Sequence, residues 1–141
     1  MTMQFNEQTG RLRDTDARED ERTYSMFNHL LGLISLAEVS SILALIGTII
    51  MWRVKKTESP FLDDHGREAT NFQISLIVYA IIGVVFGIIT FGIGFIVTVP
   101  LMLGMVVLRL IGTIRGAMAA HRGEYYRYPM CIRFIKGPDE A

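Results

Sequence analysis

"ISLIVYAIIGVVFGIITFGIGFIVTVPLMLGMVVL", residues 74–108, contains no Asp, Glu, Lys, Arg or His in thirty-five consecutive positions. A helix crosses a hydrocarbon core of about 30 Å with roughly 20 apolar residues, so this run has room for two crossings and a turn. The spacing predicts one span from Gln73 or Ile74 to about Thr90, a turn at "FGIG" (residues 91–94) and a second span from Phe95 to about Arg115. Ala80, Gly83 and Gly87 form a small-residue face on the first span, suited to close helix packing, with self-association as a second option. Pro100 falls in the early turns of the second span, where a helix tolerates it best.

Upstream, residues 30–52 are interrupted by one charge, Glu38. Ser25, Asn28, His29, Gly32 and Ser35 recur at spacings of three and four, a polar stripe along one helix face. Two readings stay open. A single span from Met26 to Trp52 would put Glu38 near the bilayer centre, at a cost of about 2.5–3.5 kcal/mol. Two short helices joined at residues 37–41 would bring Glu38 to an interface, and this broken form is preferred. Trp52, Arg53, Lys55 and Lys56 then anchor the segment at a membrane surface. Arg109 lies fifteen residues beyond Gly94, near enough to the far surface to snorkel there as an anchor.

The expected fold is therefore all-α: a polytopic membrane bundle of four helical segments. A polar tail (residues 1–22) precedes a helical membrane domain (residues 23–122) and an interfacial or cytoplasmic C-terminal segment (residues 123–141). The first twenty-five residues carry six acids and four arginines and no apolar core, which reads as disorder and excludes a secretory signal or a nucleic-acid arm. The "FGIG" turn has no basic residue, whereas Arg53, Lys55, Lys56, Arg67, Arg115 and Arg122 flank the spans elsewhere. By the positive-inside rule the middle loop and the C-terminus face the cytoplasm, in a bacterial inner membrane. The lone cysteine, Cys131, permits no intrachain disulfide.

The stretch "ESPFLDDHGREATNFQISL" (residues 58–76) concentrates Asp63, Asp64, His65 and Glu68, a set that could be drawn as metal ligands. No constrained metal spacing accompanies it. An architectural reading accounts for more residues. Ser59 caps a helix, Pro60 takes its first position, the two aspartates complement the helix dipole, and Asn71 and Gln73 mark entry into lipid. The last helix is expected to continue amphipathically past Arg115 and stop at Gly123, and Met130, Ile132 and Phe134 alternate in a segment expected along the membrane interface.

Glu58, Ser59, Pro60, Phe61, His65, Glu68, Asn71, Phe72 and Gln73, followed after two spans by "GEYYRYP" with Tyr125, Tyr126, Tyr128 and Pro129 and by an Arg-Phe-Ile ending, carry a family resemblance. The chain resembles a widespread bacterial family of small membrane proteins of unknown function, grouped with the chloroplast inner-envelope import component Tic-twenty. That likeness implies a four-helix membrane bundle, no cofactor and no established activity. The expected function is a non-enzymatic module for assembly or translocation of other membrane proteins, with the Asn71–Gln73 entry and the tyrosine-rich tail as docking surfaces. The alternative is a small channel or transport subunit lined by Asn28, His29, Glu38 and their polar neighbours. Expected partners are the lipid bilayer, other membrane proteins and a second copy of the chain, but no nucleic acid.

Overall fold

A computed structural model describes residues 2–33 and 38–137. A two-stranded antiparallel hairpin, β1 (Met3–Asn6) and β2 (Arg11–Asp14), precedes four helices: α1 (Glu19–Leu30), α2 (Glu38–Lys55), α3 (Pro60–Ile89) and α4 (Phe95–His121). Helices α3 and α4 are each long and apolar enough to cross a membrane.

The hairpin corrects the all-α expectation and the disorder expected before Arg22. Asn6 closes the turn by accepting Gln8 N–H on its side chain and Gly10 N–H on its carbonyl, and Gly10 adopts φ 67°. Such Asx and glycine chemistry reverses a chain irrespective of how charged its surroundings are. The strands are then held against the end of α4, with Asp14 N–H donating to Gly123 O (2.9 Å) and Tyr125 N–H to Leu12 O (2.8 Å). Helix α1 begins at Glu19. Its first turn holds Glu19, Asp20 and Glu21, favoured near the positive helix end, and Glu21 accepts the Arg18 N–H.

The first hydrophobic region is broken, earlier than expected. Helix α1 ends at Leu30 and tightens into a 3-10 turn, Leu31–Leu33. Ser35, in the predicted stripe, lies outside the described residues. Glu38 opens α2, with its side chain also outside them. Helix α3 begins as the sequence predicts: Ser59 Oγ accepts Leu62 N–H (3.2 Å) and Pro60 takes the first position.

Helices α3 and α4 run antiparallel, joined by a reversal in which Gly92 N–H reaches back to Gly87 O (2.8 Å) and Phe91 takes φ 53°. The Gly83 and Gly87 face is filled from within the chain, by Met102 and Thr98 at Gly83 and by the Phe95 ring at Gly87. Helices α1 and α2 cover only half of this long hairpin. Gly32 faces Gln73 and Thr113, and Ser41 meets Arg109 (3.3 Å), so both helices turn near the level at which α3 becomes apolar. Beyond that level the α3–α4 hairpin stands alone, with Ile82, Phe86, Ile89, Ile96 and Leu103 exposed and Phe91 97% exposed at its tip. Helices apolar all round belong in lipid.

Trp52 departs from its expected role as an interfacial anchor. It is buried, donates from Nε1 to Asp63 (2.8 Å) and packs flat against Gly66, where any Cβ would enter its ring. Gly66→Ala should therefore expel Trp52 and destabilise the bundle by about 1–3 kcal/mol, the usual cost of overpacking. Trp52 is the only tryptophan, so its fluorescence in detergent should shift to the red and the melting temperature should fall. Gly104→Ala, at a glycine with no neighbour within 4 Å, should change neither.

Candidate functional site: a buried histidine–tyrosine cluster under a C-terminal strap

One face of α3 carries Asp64, Glu68, Asn71, Ser75 and Tyr79, at spacings of three and four residues that stack side chains along a helix. Each binds the segment that follows α4. Asp64 holds Arg127 through two short contacts (2.6 and 2.7 Å). Glu68 accepts Tyr128 N–H (2.8 Å) and pairs with Arg133 (3.2 Å). Tyr79 donates to Met130 O, Ser75 Oγ accepts Ile132 N–H, and Asn71 both accepts from Ile135 N and donates to Ile135 O (2.8–2.9 Å throughout). The segment is thus a hook. It ascends α3 to Tyr79, reverses at Met130 with φ 56°, and returns past Ser75 to Asn71. Met130, Ile132 and Phe134 point outward and are exposed.

The hook carries two tyrosines into the bundle. Tyr128 stacks on Phe72 (centroids 3.9 Å apart, planes 8° apart), and Tyr126 meets it edge-on. Tyr128 Oη lies 2.8 Å from His29 Nδ1, and His29 Nε2 lies 2.8 Å from His65 Nδ1. Both histidines are buried, with Tyr125 stacked on His65 and Phe61 tilted against it. Burial holds the Tyr128 hydroxyl well above the ordinary tyrosine range, so it keeps its proton and can donate to His29. With Tyr128 as donor, His29 carries its proton on Nε2, facing His65, and His65 carries its own on Nε2, a buried atom without a hydrogen-bond partner among the described residues. Close approach is possible because Gly116 of α4 offers no side chain. Its hydrogen side lies against His29 and the Tyr128 hydroxyl.

A second buried group, Glu124, ties the N-terminal hairpin to this assembly. Its carboxylate is wholly enclosed and takes Asn6 (2.8 Å), Arg122 (3.2 Å) and Arg11 (3.5 Å). Burial, the largest single influence, would raise its pKa, but hydrogen bonds from Arg122, Thr9 and Asn6 together with the Arg122 charge hold it below the ordinary carboxylate range.

The structure brings together most of the sequence-predicted residues, and does so inside the chain. Asn71, Glu68, His65, Phe72, Tyr126 and Tyr128 contact one another's segments, Phe61 and Tyr125 close over His65, and Ser59 and Pro60 start the helix that presents them. Glu58 stands apart, paired with Lys55 (2.8 Å) at the surface. Gln73 is buried near Gly32, Asn28 is buried on α1, and Pro129 lines a surface cleft. Arg109 sits half-way along α4 beside Ser41. Ser75, Tyr79, Asp64 and Glu124 were missed as site residues. The first three share the heptad-like spacing of Glu68 and Asn71, a signal present in the sequence. Nothing local marks Glu124. Among the described residues, no group of three or more His, Cys, Asp or Glu side chains is placed to hold a metal ion.

Residues 20–135 match the model of the magnetosome magnetite crystal formation protein family. The chain belongs to this family. The match covers the four helices, the hook and the histidine–tyrosine cluster, and leaves the β hairpin outside it. It overturns the resemblance to the Tic-twenty group. The stretches quoted for that resemblance are the ones that build the α3 ladder and the hook, and such packing hardware does not identify a function. No curated protein and no solved structure matches the chain. Family and fold together make this a small membrane protein of magnetosome crystal formation.

The cluster makes stability depend on pH. Burial, and then the neighbouring His65, hold His29 well below the ordinary histidine range. An unfolded chain therefore binds a proton near pH 6.5 that the folded one refuses, so this contribution is complete above that pH and is lost as pH falls below it. The melting temperature in detergent should be level from pH 8 to 7 and decline below about 6.5, by up to about 1.4 kcal/mol of stability per pH unit for one such group. His65, pushed down to about 3 by burial, adds a second such group, so His29→Gln should make the decline shallower without abolishing it.

Proposed function

We propose that the protein is a non-enzymatic structural component of the membrane around growing magnetite, acting as an assembly platform for other proteins of that membrane. Family membership supplies the setting. The observation that carries the reading is the fate of the polar stripe on α1. Ser25, Asn28, His29 and Gly32 all face the interior, where His29 is bound to Tyr128 and His65. A stripe buried inside the bundle, with its histidine held between Tyr128 and His65, serves packing and is unsuited to lining an ion path, which needs groups that face an open passage and release what they bind. The charged groups gather at the end of the bundle away from the apolar "FGIG" tip, and the positive-inside bias supports a cytoplasmic side for that end.

Deleting the gene in a magnetite-forming bacterium should alter the number, size or shape of its crystals in electron micrographs, and the wild-type chain should restore them. Purified protein in liposomes should pass no more iron or protons than protein-free vesicles. Normal crystals in the deletion strain would remove the proposed role. Flux that is abolished by His29→Gln would replace the platform with a transport pathway.

A further inference from the structure

A cleft of about 830 Å³ opens where the N-terminal hairpin, the start of α3 and the hook meet. Four arginines (Arg11, Arg67, Arg115 and Arg127) face it, against two aspartates, Asp63 and Asp64. The aspartates are already engaged, Asp63 by Arg67 (3.1 Å) and Asp64 by Arg127 (2.6 Å). Arg11 shares the single Glu124 carboxylate with Arg122, at 3.5 and 3.2 Å. Arg115 has no ion pair among the described residues. The cleft therefore keeps an excess of positive charge, centred on Arg11 and Arg115.

Those two cations share the cleft with one aromatic ring. The Arg11 guanidinium lies 5.1 Å from the centroid of Tyr126, and Arg115 lines the same cleft. The surroundings of Arg115 say where the cleft opens. Ile111, Ile114 and Met118, one turn to either side on α4, are exposed, so Arg115 emerges from an apolar, lipid-facing helix surface. A lone cation at the polar end of such a surface sits at headgroup depth. Excess positive charge, two donor-rich guanidinium groups and an adjoining apolar strip match a lipid phosphate with its acyl chains laid along α4.

We infer that the Arg11–Tyr126–Arg115 cleft is a binding site for the phosphate headgroup of an anionic phospholipid. The inference does not depend on the role proposed above. Arg11 belongs to the β hairpin, which lies before the family-matched residues, so the site draws on a segment outside the family match.

The test uses the full chain in neutral detergent, its melting temperature followed while short-chain phosphatidylglycerol, phosphatidylcholine or inorganic phosphate is added. Phosphatidylglycerol should raise the melting temperature saturably and phosphatidylcholine should not. Arg115→Gln, at an exposed position, should increase the half-saturating phosphatidylglycerol concentration about fivefold, the effect of one interfacial cation. Arg53→Gln removes an exposed cation at the end of α2, outside the cleft, and should leave that concentration unchanged. Equal stabilisation by the two lipids, or equal losses in the two variants, would overturn the site. Saturation by inorganic phosphate at the concentration effective for the lipid would make it a free-anion site and overturn the lipid assignment.

Discussion

An extended chain laid against a helix must find partners for its own amides and carbonyls, because the helix backbone has none to spare. After α4 the chain meets this constraint without a neighbouring strand. Side chains of α3 replace one. Glu68, Asn71 and Ser75 accept the N–H groups of Tyr128, Ile135 and Ile132, while Asn71 and Tyr79 donate to the carbonyls of Ile135 and Met130. Each such bond nets about 0.5–1.5 kcal/mol, and leaving its buried partner unpaired costs about 1–3. The ladder thus sets where the hook can lie, and its reversal at Met130 sets which tyrosines turn inward.

Much of the remaining structure follows from that placement. Tyr128 arrives on Phe72 and reaches His29, which draws α1 against α3 and α4. Glu124, just ahead of the hook, collects Asn6, Arg11 and Arg122 and fastens the hairpin over the same end. The molecule is consequently two unlike halves. One is a four-helix bundle with a polar interior built around the Tyr128–His29–His65 chain. The other is a bare apolar hairpin ending at an exposed Phe91, a form that only lipid makes stable. A protein built this way has its adaptable chemistry at one end, which is where an assembly role in a mineral-forming membrane would be exercised.

The apolar hairpin was legible because length and hydropathy are properties of consecutive residues. The Ser59–Pro60 start and the "FGIG" reversal were legible for the same reason. Asn71, Glu68 and Tyr128 stood out as a motif, but the sequence does not say that Glu68 binds Tyr128 and Asn71 binds Ile135 across some sixty positions, and so they read as docking groups for other proteins. Trp52 read as an interfacial anchor because its burial depends on Gly66, fourteen residues away on another helix. The hairpin was hidden by composition: charged strands that gain stability from a buried Glu124 look disordered when considered alone. The misplaced family likeness has the same origin, since the residues that carried it are scaffold.

The central claim is that side chains of α3 hold the hook as a strand would. Hydrogen exchange of the full chain in detergent, read at the amides of Tyr128, Ile132 and Ile135, tests it most directly, with the exposed Glu7 amide as the fast reference. All three amides should exchange orders of magnitude more slowly than the reference, and Asn71→Ala should release Ile135 first. Exchange at the reference rate at all three positions in the wild-type chain would contradict the account.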